Sequence, residues 1–427
     1  MASPELPVPD GLVLHPFRGV RYVLDDPAKV ISPPYDLVSD QDVLDLLSLH
    51  PNNVVRLILP GADHHRYGEA RDTLQAWLTS GLLAVDDHPA LYVYEQAAPN
   101  GTQPDPQVIQ RGLIGNVALA DPEERIVLPH ENVMPGPVAD RLALMNTTEA
   151  NLEPIFLLYD GGGPASHLVD AVAANRPPLV EATTSDGIRH GLWAVVEQHE
   201  HDLIGADLRP RQALIADGHH RYATYRALQH ERHQAGMGTG PWDSGLALLV
   251  DSSLYPPDLK PIHRVIPDLP LKEAVAKAKG AWQVHEFSSL DEGLETLHST
   301  PGPAFLLAGD GSSHLLTNPD PLQIEHGMPP DRTAGWKALN TSIFNEFLLP
   351  KVWGMHDDEQ AVRIVHHDPY TAEKLAATTD GTAVVLQPLA TGAVLAVAAE
   401  GEQVPRKSTS FGPKPRTGLV MRTFATG

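Results

Sequence analysis

The chain has 427 residues, 42% hydrophobic and 20% charged, enough for two or three ordinary domains with their own cores. A formal charge of −23 argues against a whole-surface DNA or RNA binder, and the absence of cysteine excludes disulfides, thiolate metal sites and a Cys nucleophile. The longest apolar runs, such as Leu246–Val250 and Ala393–Ala399, are too short to span a bilayer, and the acidic, Pro-rich start lacks a secretory pattern; a soluble, cytoplasmic protein is expected.

In chain order, Gly11–Val23 reads as a strand and turn. Ser39 offers an N-cap to an apolar-periodic helix over Asp40–Leu49, with Asp42 as a partial capping box. The β-branched run Val54–Leu59 reads as a strand, and Tyr67–Leu83 has helical spacing. Strands are expected at Leu91–Glu95 and Gly112–Leu119, with a polar hairpin loop between them. Pro122–Thr148 shows no clean period and reads as a long functional loop. Ile155–Tyr159, Leu192–Val196, Gln212–Ala216, Gly245–Val250 and Pro261–Ile266 read as strands, and Leu168–Ala174 as a short helix. Two helix–strand pairs follow from about Leu271, then a helix end at Glu346–Trp353. Strands are expected again at Val362–Val365, Ala383–Gln387 and Ala393–Ala398. Domain boundaries are expected near residues 150 and 268, giving parts 1–150, 151–268 and 269–427.

The segment Ala213–Tyr222 (ALIADGHHRY) is the most informative. An apolar strand ends, Asp217 and Gly218 turn the chain, and a helix begins at about His219. The free N–H groups and positive end of such a helix favour an anion, and Gly218 lets a ligand approach the backbone. Arg221 is suited to bidentate phosphate binding. The alternative is a capped helix with its histidines exposed.

Further candidates lie elsewhere in the chain. The last 27 residues hold Arg406, Lys407, Lys414, Arg416 and Arg422 against one acid, so Lys407, Ser408 and Thr409 are candidates to reach an anion site. Arg18 is a candidate phosphate or carboxylate ligand. Pro33-Pro34 rigidifies the approach to Tyr35 and Asp36, and Asp36 could hold Mg²⁺ or accept a proton. In the irregular segment Glu131 is a candidate general base oriented by His130, and Asp140-Arg141 a buried ion pair. His263-Arg264 divides evenly between site and structure. The histidine pairs 64–65, 219–220 and 366–367 raise a metal reading, but no HExxH is present.

The DGHHR run opening a helix resembles the box of the ParB/sulfiredoxin-like superfamily, where it grips nucleotide phosphates; that superfamily includes partition-protein nucleotide switches, sulfiredoxin and kinases of free L-serine. A second resemblance spans the chain: HPFRGVRY (15–22), ISPPYDLVS (31–39), NVVRLILP (53–60), RGLIG (111–115), PHE (129–131), IADGHHRY (215–222) and VPRKSTSFGPKPRTGLV (404–420). This succession is similar to a bacterial and archaeal domain-of-unknown-function family, number one thousand and fifteen. The family commonly carries Gln where this chain has Arg406.

The expected fold class is α+β: a ParB/sulfiredoxin-like core with a large insertion, and a C-terminal α+β region with a basic tail. The resemblance implies a nucleotide-dependent phosphotransferase acting on a small hydroxyl compound, best matched by free L-serine, with ATP or ADP and Mg²⁺. In that reading Asp217, Gly218, His219, His220, Arg221, Arg18, Lys407, Ser408 and Thr409 hold phosphates, and Glu131, Asp36 and His130 serve the acceptor hydroxyl. The alternatives are a nucleotide-binding switch without turnover and a metal-dependent phosphohydrolase. Nucleotide and substrate are the expected partners, with no nucleic acid or membrane.

Overall fold

A computed structural model describes residues 6–61, 66–101, 106–357 and 361–426; the His64-His65 pair lies outside them. The fold is α+β. The chain divides into two units, residues 1–257 with 413–427 and residues 258–412, so the tail ends in the first.

The first unit is built on a nine-stranded mixed sheet. Its strands are β1 (Leu14–His15), β2 (Leu91–Ala98), β3 (Gln107–Ala118), β4 (Val127–Leu128), β5 (Ile155–Tyr159), β6 (Val180–Thr183), β7 (Arg189–Val195), β8 (Ala213–Asp217) and β9 (Ser244–Asp251). They lie in the order β4-β8-β5-β9-β3-β2-β7-β6, with β1 beside β3. The pairs β4/β8 and β5/β9 are parallel and the others antiparallel. The central strands IFLLY and ALIAD are buried at every position. Runs without alternation belong where both faces of a sheet are covered. Strands on both sides of residue 150 share this sheet, so the division expected there falls inside one layer.

Three sequence expectations are corrected here. Val55–Ile58, expected as a strand, is one helical turn: the Asn53 side chain accepts the Val55 amide at 3.0 Å, and burial favours β-branched residues whatever the backbone does. The supposed loop Pro122–Thr148 contains a 14-residue helix, Pro135–Thr148, opened by a proline at the position where a missing N–H costs nothing. Ala393–Ala398 is helical, within Thr391–Ala399, because alanine, the best helix former, fills four of the nine positions. Helix Asp40–Leu49 forms with the reciprocal Ser39/Asp42 capping box.

The second unit carries a six-stranded, wholly antiparallel sheet: Gln283–Phe287, Ser312–Thr317, Phe305–Gly309, Thr382–Val385, Ile262–Ile266 and Arg363–His366, in that spatial order. Among the described residues no helix is long and apolar enough to cross a membrane.

Helix His219–Gln234 lies against the first sheet through buried Tyr222, Tyr225 and Leu228. Tyr225 donates to the carbonyls of Glu153 and Leu246, both at 3.2 Å. Gly245 on β9 makes room for its ring, since a Cβ there would stand 2.1 Å from Tyr225 Cδ2. Replacing Gly245 with Ala is expected to overpack this contact and cost about 1–3 kcal/mol, read as a lower urea midpoint at an unchanged m-value.

Candidate functional site

Strand β8 ends at Asp217, and Gly218 turns the chain at φ +92°, a left-handed conformation that favours glycine. The helix His219–Gln234 begins at once, and no side chain caps it. The positive dipole end of the helix therefore stands directly behind Asp217.

Asp217 is buried, 8% exposed, inside a charge cluster. Arg221, one turn along, donates to Asp217 Oδ2 at 2.7 Å and to the Pro154 carbonyl at 2.8 Å. Lys414 pairs with Asp217 Oδ1 from the other side, and its ammonium lies 3.3 Å from Asp36 Oδ2. Burial pushes the Asp217 carboxyl above its ordinary value, Asp36 adds to this, and Arg221 and Lys414 oppose it. For Asp36 burial also works against ionisation, yet Lys414 and then Arg221 prevail and hold it below its ordinary value. The two carboxyls sharing one ammonium are thus driven apart in basicity. Lys414 stays charged: burial disfavours its ammonium, and Asp217 and Asp36 outweigh that.

The N-terminal turn and the tail meet here because Ser32 and Thr417 exchange backbone hydrogen bonds at 3.1 and 2.9 Å. Glu153, 5% exposed, pins both segments, accepting the Tyr35 amide at 2.9 Å and the Thr417 hydroxyl at 3.3 Å. Burial raises its pKa against the pull of Arg221 and Arg141. The Tyr35 ring sits under Arg141 at 4.3 Å and near Arg221 at 5.9 Å. Arg141 pairs with Asp140 at 2.6 Å; the arginine is buried, but Asp140 is only half-buried, so the pair expected to be buried is buried on one side.

The two histidines of the box act on the Glu131 loop. His219 Nε2 accepts the His130 amide at 3.4 Å, and His220 Nε2 accepts the Met134 amide at 3.0 Å. Glu131 lies between these two anchors, partly exposed. His130 is fully buried, stacks edge-on against His219 at 4.5 Å, and hydrogen-bonds the Ile215 backbone. Burial pushes its pKa down to about 3. His219 is lowered as well, by burial and then by His130, as an imidazole that accepts through Nε2 requires.

The structure therefore brings Asp36, Glu131, His130 and the whole box Asp217–Arg221 into one region. The other candidates have contacts of their own. Arg18 donates to the Asp86 carbonyl at 2.8 Å, in the corner where Arg21 and Tyr92 also meet Asp86. Lys407, Ser408 and Thr409 belong to the second unit. There buried Arg264 takes the Lys407 carbonyl at 2.9 Å, and Ser408 Oγ takes the Pro405 carbonyl at 2.6 Å. Arg264 is thus structural, and the tail cation at the box is Lys414, seven residues on. The histidines of the box point Nε2 at loop amides rather than at a shared ligand. Among the described residues no group of three or more His, Asp or Glu is placed to hold a metal ion.

Sequence reasoning passed over Lys414 and Glu153. Lys414 was one of five tail cations, and only its position between two prolines, which stiffen the chain on both sides, set it apart. Glu153 sits before Pro154, ahead of the buried strand IFLLY, and had no motif of its own.

Arg221 is 4% exposed and holds one buried carboxylate and one buried carbonyl. Arg221→Ala should therefore cost stability first, about 3–5 kcal/mol, because it strands a buried charge; chemical denaturation measures this without any ligand. His130 gives a pH signature. Its folded pKa of about 3 lies below the unfolded 6.5, so between those values the unfolded chain binds one more proton and stability falls as pH falls. Over that window wild-type stability should drop faster than that of His130→Gln, by about 1.4 kcal/mol per pH unit, in urea titrations at pH 4.5, 5.25 and 6.

Three solved structures share the general likeness of this chain. A C-terminally truncated SbnI from Staphylococcus aureus is 12% identical over 73% of this chain and 88% of its own, with a TM-score of 0.38. A free serine kinase in complex with AMP is 14% identical over 69% and 89%, with a TM-score of 0.33. A conserved hypothetical protein from Pyrococcus furiosus is 14% identical over 70% and 92%, with a TM-score of 0.33. No curated protein matches the chain. The model of the family described as "Protein of unknown function (DUF1015)" matches residues 14–342, the span that includes Asp36, Glu131, Glu153 and the Asp217–Arg221 box, and the chain belongs to that family.

Proposed function

We propose that this protein is a cytoplasmic phosphotransferase that moves a phosphoryl group from ATP or ADP to a small alcohol, with free L-serine as the first acceptor to test. One arrangement carries the reading: a helix that starts without a side-chain cap behind a left-handed glycine, with the Lys414 ammonium on Asp217 and the Glu131 loop tied to the first two histidines of the helix. The helix start and Lys414 suit a phosphate, the first through aligned N–H groups and the second as a point charge. Glu131 suits the acceptor, because its loop is tied down on both sides by the box histidines.

In this mechanism the terminal phosphate rests on the amides that follow Gly218, and Lys414 turns from Asp217 toward its oxygens. The acceptor oxygen attacks phosphorus, its proton passes to Glu131, and the bond to the departing nucleotide oxygen breaks. His219 and His220 hold the Glu131 loop to the phosphate-binding turn, so base and phosphate keep one spacing. Asp36, the more exposed of the two acids on Lys414, is the side chain that would hold Mg²⁺. That ion would supply charge neutralisation on the phosphates.

Glu131→Gln should leave the nucleotide Kd unchanged and lower kcat about 10²–10⁴-fold. Lys414→Met should weaken nucleotide binding about 10- to 150-fold. Calorimetric titration with ATP and ADP, beside a phosphotransfer assay with serine, reads both. Nucleotide binding without product, with serine and other small alcohols alike, would favour a switch over a kinase. A wild-type protein that binds neither nucleotide would end both readings.

A further inference from the structure

The tail residue two places after Lys414 is held by a closed circuit of hydrogen bonds. The Arg416 amide donates to the Tyr94 hydroxyl at 3.2 Å, and that hydroxyl lies 3.0 Å from His190 Nδ1. His190 is fully buried, and its Nε2 lies 3.1 Å from Thr184 Oγ1. Thr184 donates to Asp186 Oδ1 at 2.5 Å. Asp186 Oδ2 accepts the Arg416 guanidinium, which brings the circuit back to the residue where it began.

The protons in this circuit run one way. The Asp186 carboxylate and the Ile188 carbonyl, 3.2 Å from Thr184 Oγ1, only accept, so Thr184 gives its single proton to one of them, the nearer being Asp186, and must accept from His190 Nε2–H. A neutral imidazole with its proton on Nε2 leaves Nδ1 as an acceptor, which takes the Tyr94 hydroxyl. Burial keeps the ring neutral, with its pKa pushed down to about 4 and Arg416 adding to the effect. Two buried amides complete the hold: Gln110 donates to the Pro413 carbonyl at 2.9 Å and Gln96 to the Lys414 carbonyl at 3.2 Å.

We infer that His190 is a positioning residue for the phosphate-binding lysine: with Tyr94, Thr184 and Asp186 it clamps Arg416 by both main chain and side chain, and so sets where Lys414 presents its ammonium. Residues 413–416 lie in no β-ladder, so side chains from the sheet do the work that ladder bonds do elsewhere. Two residues span at most about 7 Å, so any shift at Arg416 is felt at Lys414. The phosphate role of Lys414 rests on the proposed function; the clamp itself does not.

The test pairs amide hydrogen exchange over residues 413–420 with nucleotide titration, in wild type, Tyr94→Phe, His190→Phe and His190→Gln. Phe removes a hydrogen-bonding group from either position, whereas Gln keeps an acceptor and a donor side by side at 190. Both Phe variants should speed exchange of the tail amides about 10-fold and weaken nucleotide binding by a similar factor. Exchange within Ser244–Asp251 should stay as in wild type, and His190→Gln should recover most of both effects. Nitrogen-15 spectra should show the His190 proton on Nε2, a readout that survives even if a Phe variant fails to fold. Unchanged tail exchange in both Phe variants, no recovery with Gln, or a proton on Nδ1 would overturn the clamp. A loosened tail with unchanged nucleotide affinity would overturn the positioning role alone. A wild-type protein that binds no nucleotide, with the tail still loosened in the variants, would remove the phosphate role of Lys414 and with it the functional reading.

Discussion

Lys414 puts one ammonium between the carboxylates of Asp36 and Asp217, and Arg221 closes the far side of Asp217. These residues come from the start, middle and end of the chain. A buried charge is tolerated only when its partners are in place, and removing one partner costs several kcal/mol. The fold of the first unit follows from meeting that condition. The tail must return to the unit it left at residue 257, and it must lie beside the N-terminal turn, which the Ser32–Thr417 pairing secures. Glu153 then fastens both segments to the chain ahead of β5, and Pro154 offers Arg221 its second acceptor.

How much of this was legible in the sequence depends on how local the cause is. The Ser39/Asp42 box, the helix after Gly218 and the buried strands IFLLY and ALIAD are written in neighbouring residues, and they stand where spacing and capping rules put them. Val55–Ile58 and Ala393–Ala398 were misread because a short apolar run looks alike in a buried strand and a buried helix. The Asn53 side chain on the Val55 amide favours the turn in the first, and the alanine content favours the helix in the second. In the site, the box and the Glu131 loop were visible as motifs, but the roles inside the box were not. Arg221 looked like a phosphate ligand and is committed to Asp217 and Pro154; the histidines looked like anion contacts and carry the loop. The excess of positive charge in the tail marks the segment that supplies Lys414 to Asp217, since composition marks a segment and only packing selects the residue.

On the proposed reading, the same cluster would let the site be stable when empty and still receive an anion. Three cations, Arg141, Arg221 and Lys414, stand among Asp36, Asp140, Asp217 and Glu153, so no charge is left alone. A phosphate that draws Lys414 toward itself takes it from two acids at once, and each is provided for. Asp36 is 40% exposed and can turn to water. Asp217 keeps Arg221 at 2.7 Å, and burial has already raised its affinity for a proton. Neither carboxylate is stranded, so the ammonium is the one member of the cluster free to change partners at modest cost. Arg221, whose guanidinium also holds the Pro154 carbonyl, has no such freedom. That asymmetry is the physical reason to assign the moving charge to Lys414 and the fixed frame to Arg221, a division that the residues' types alone would have reversed.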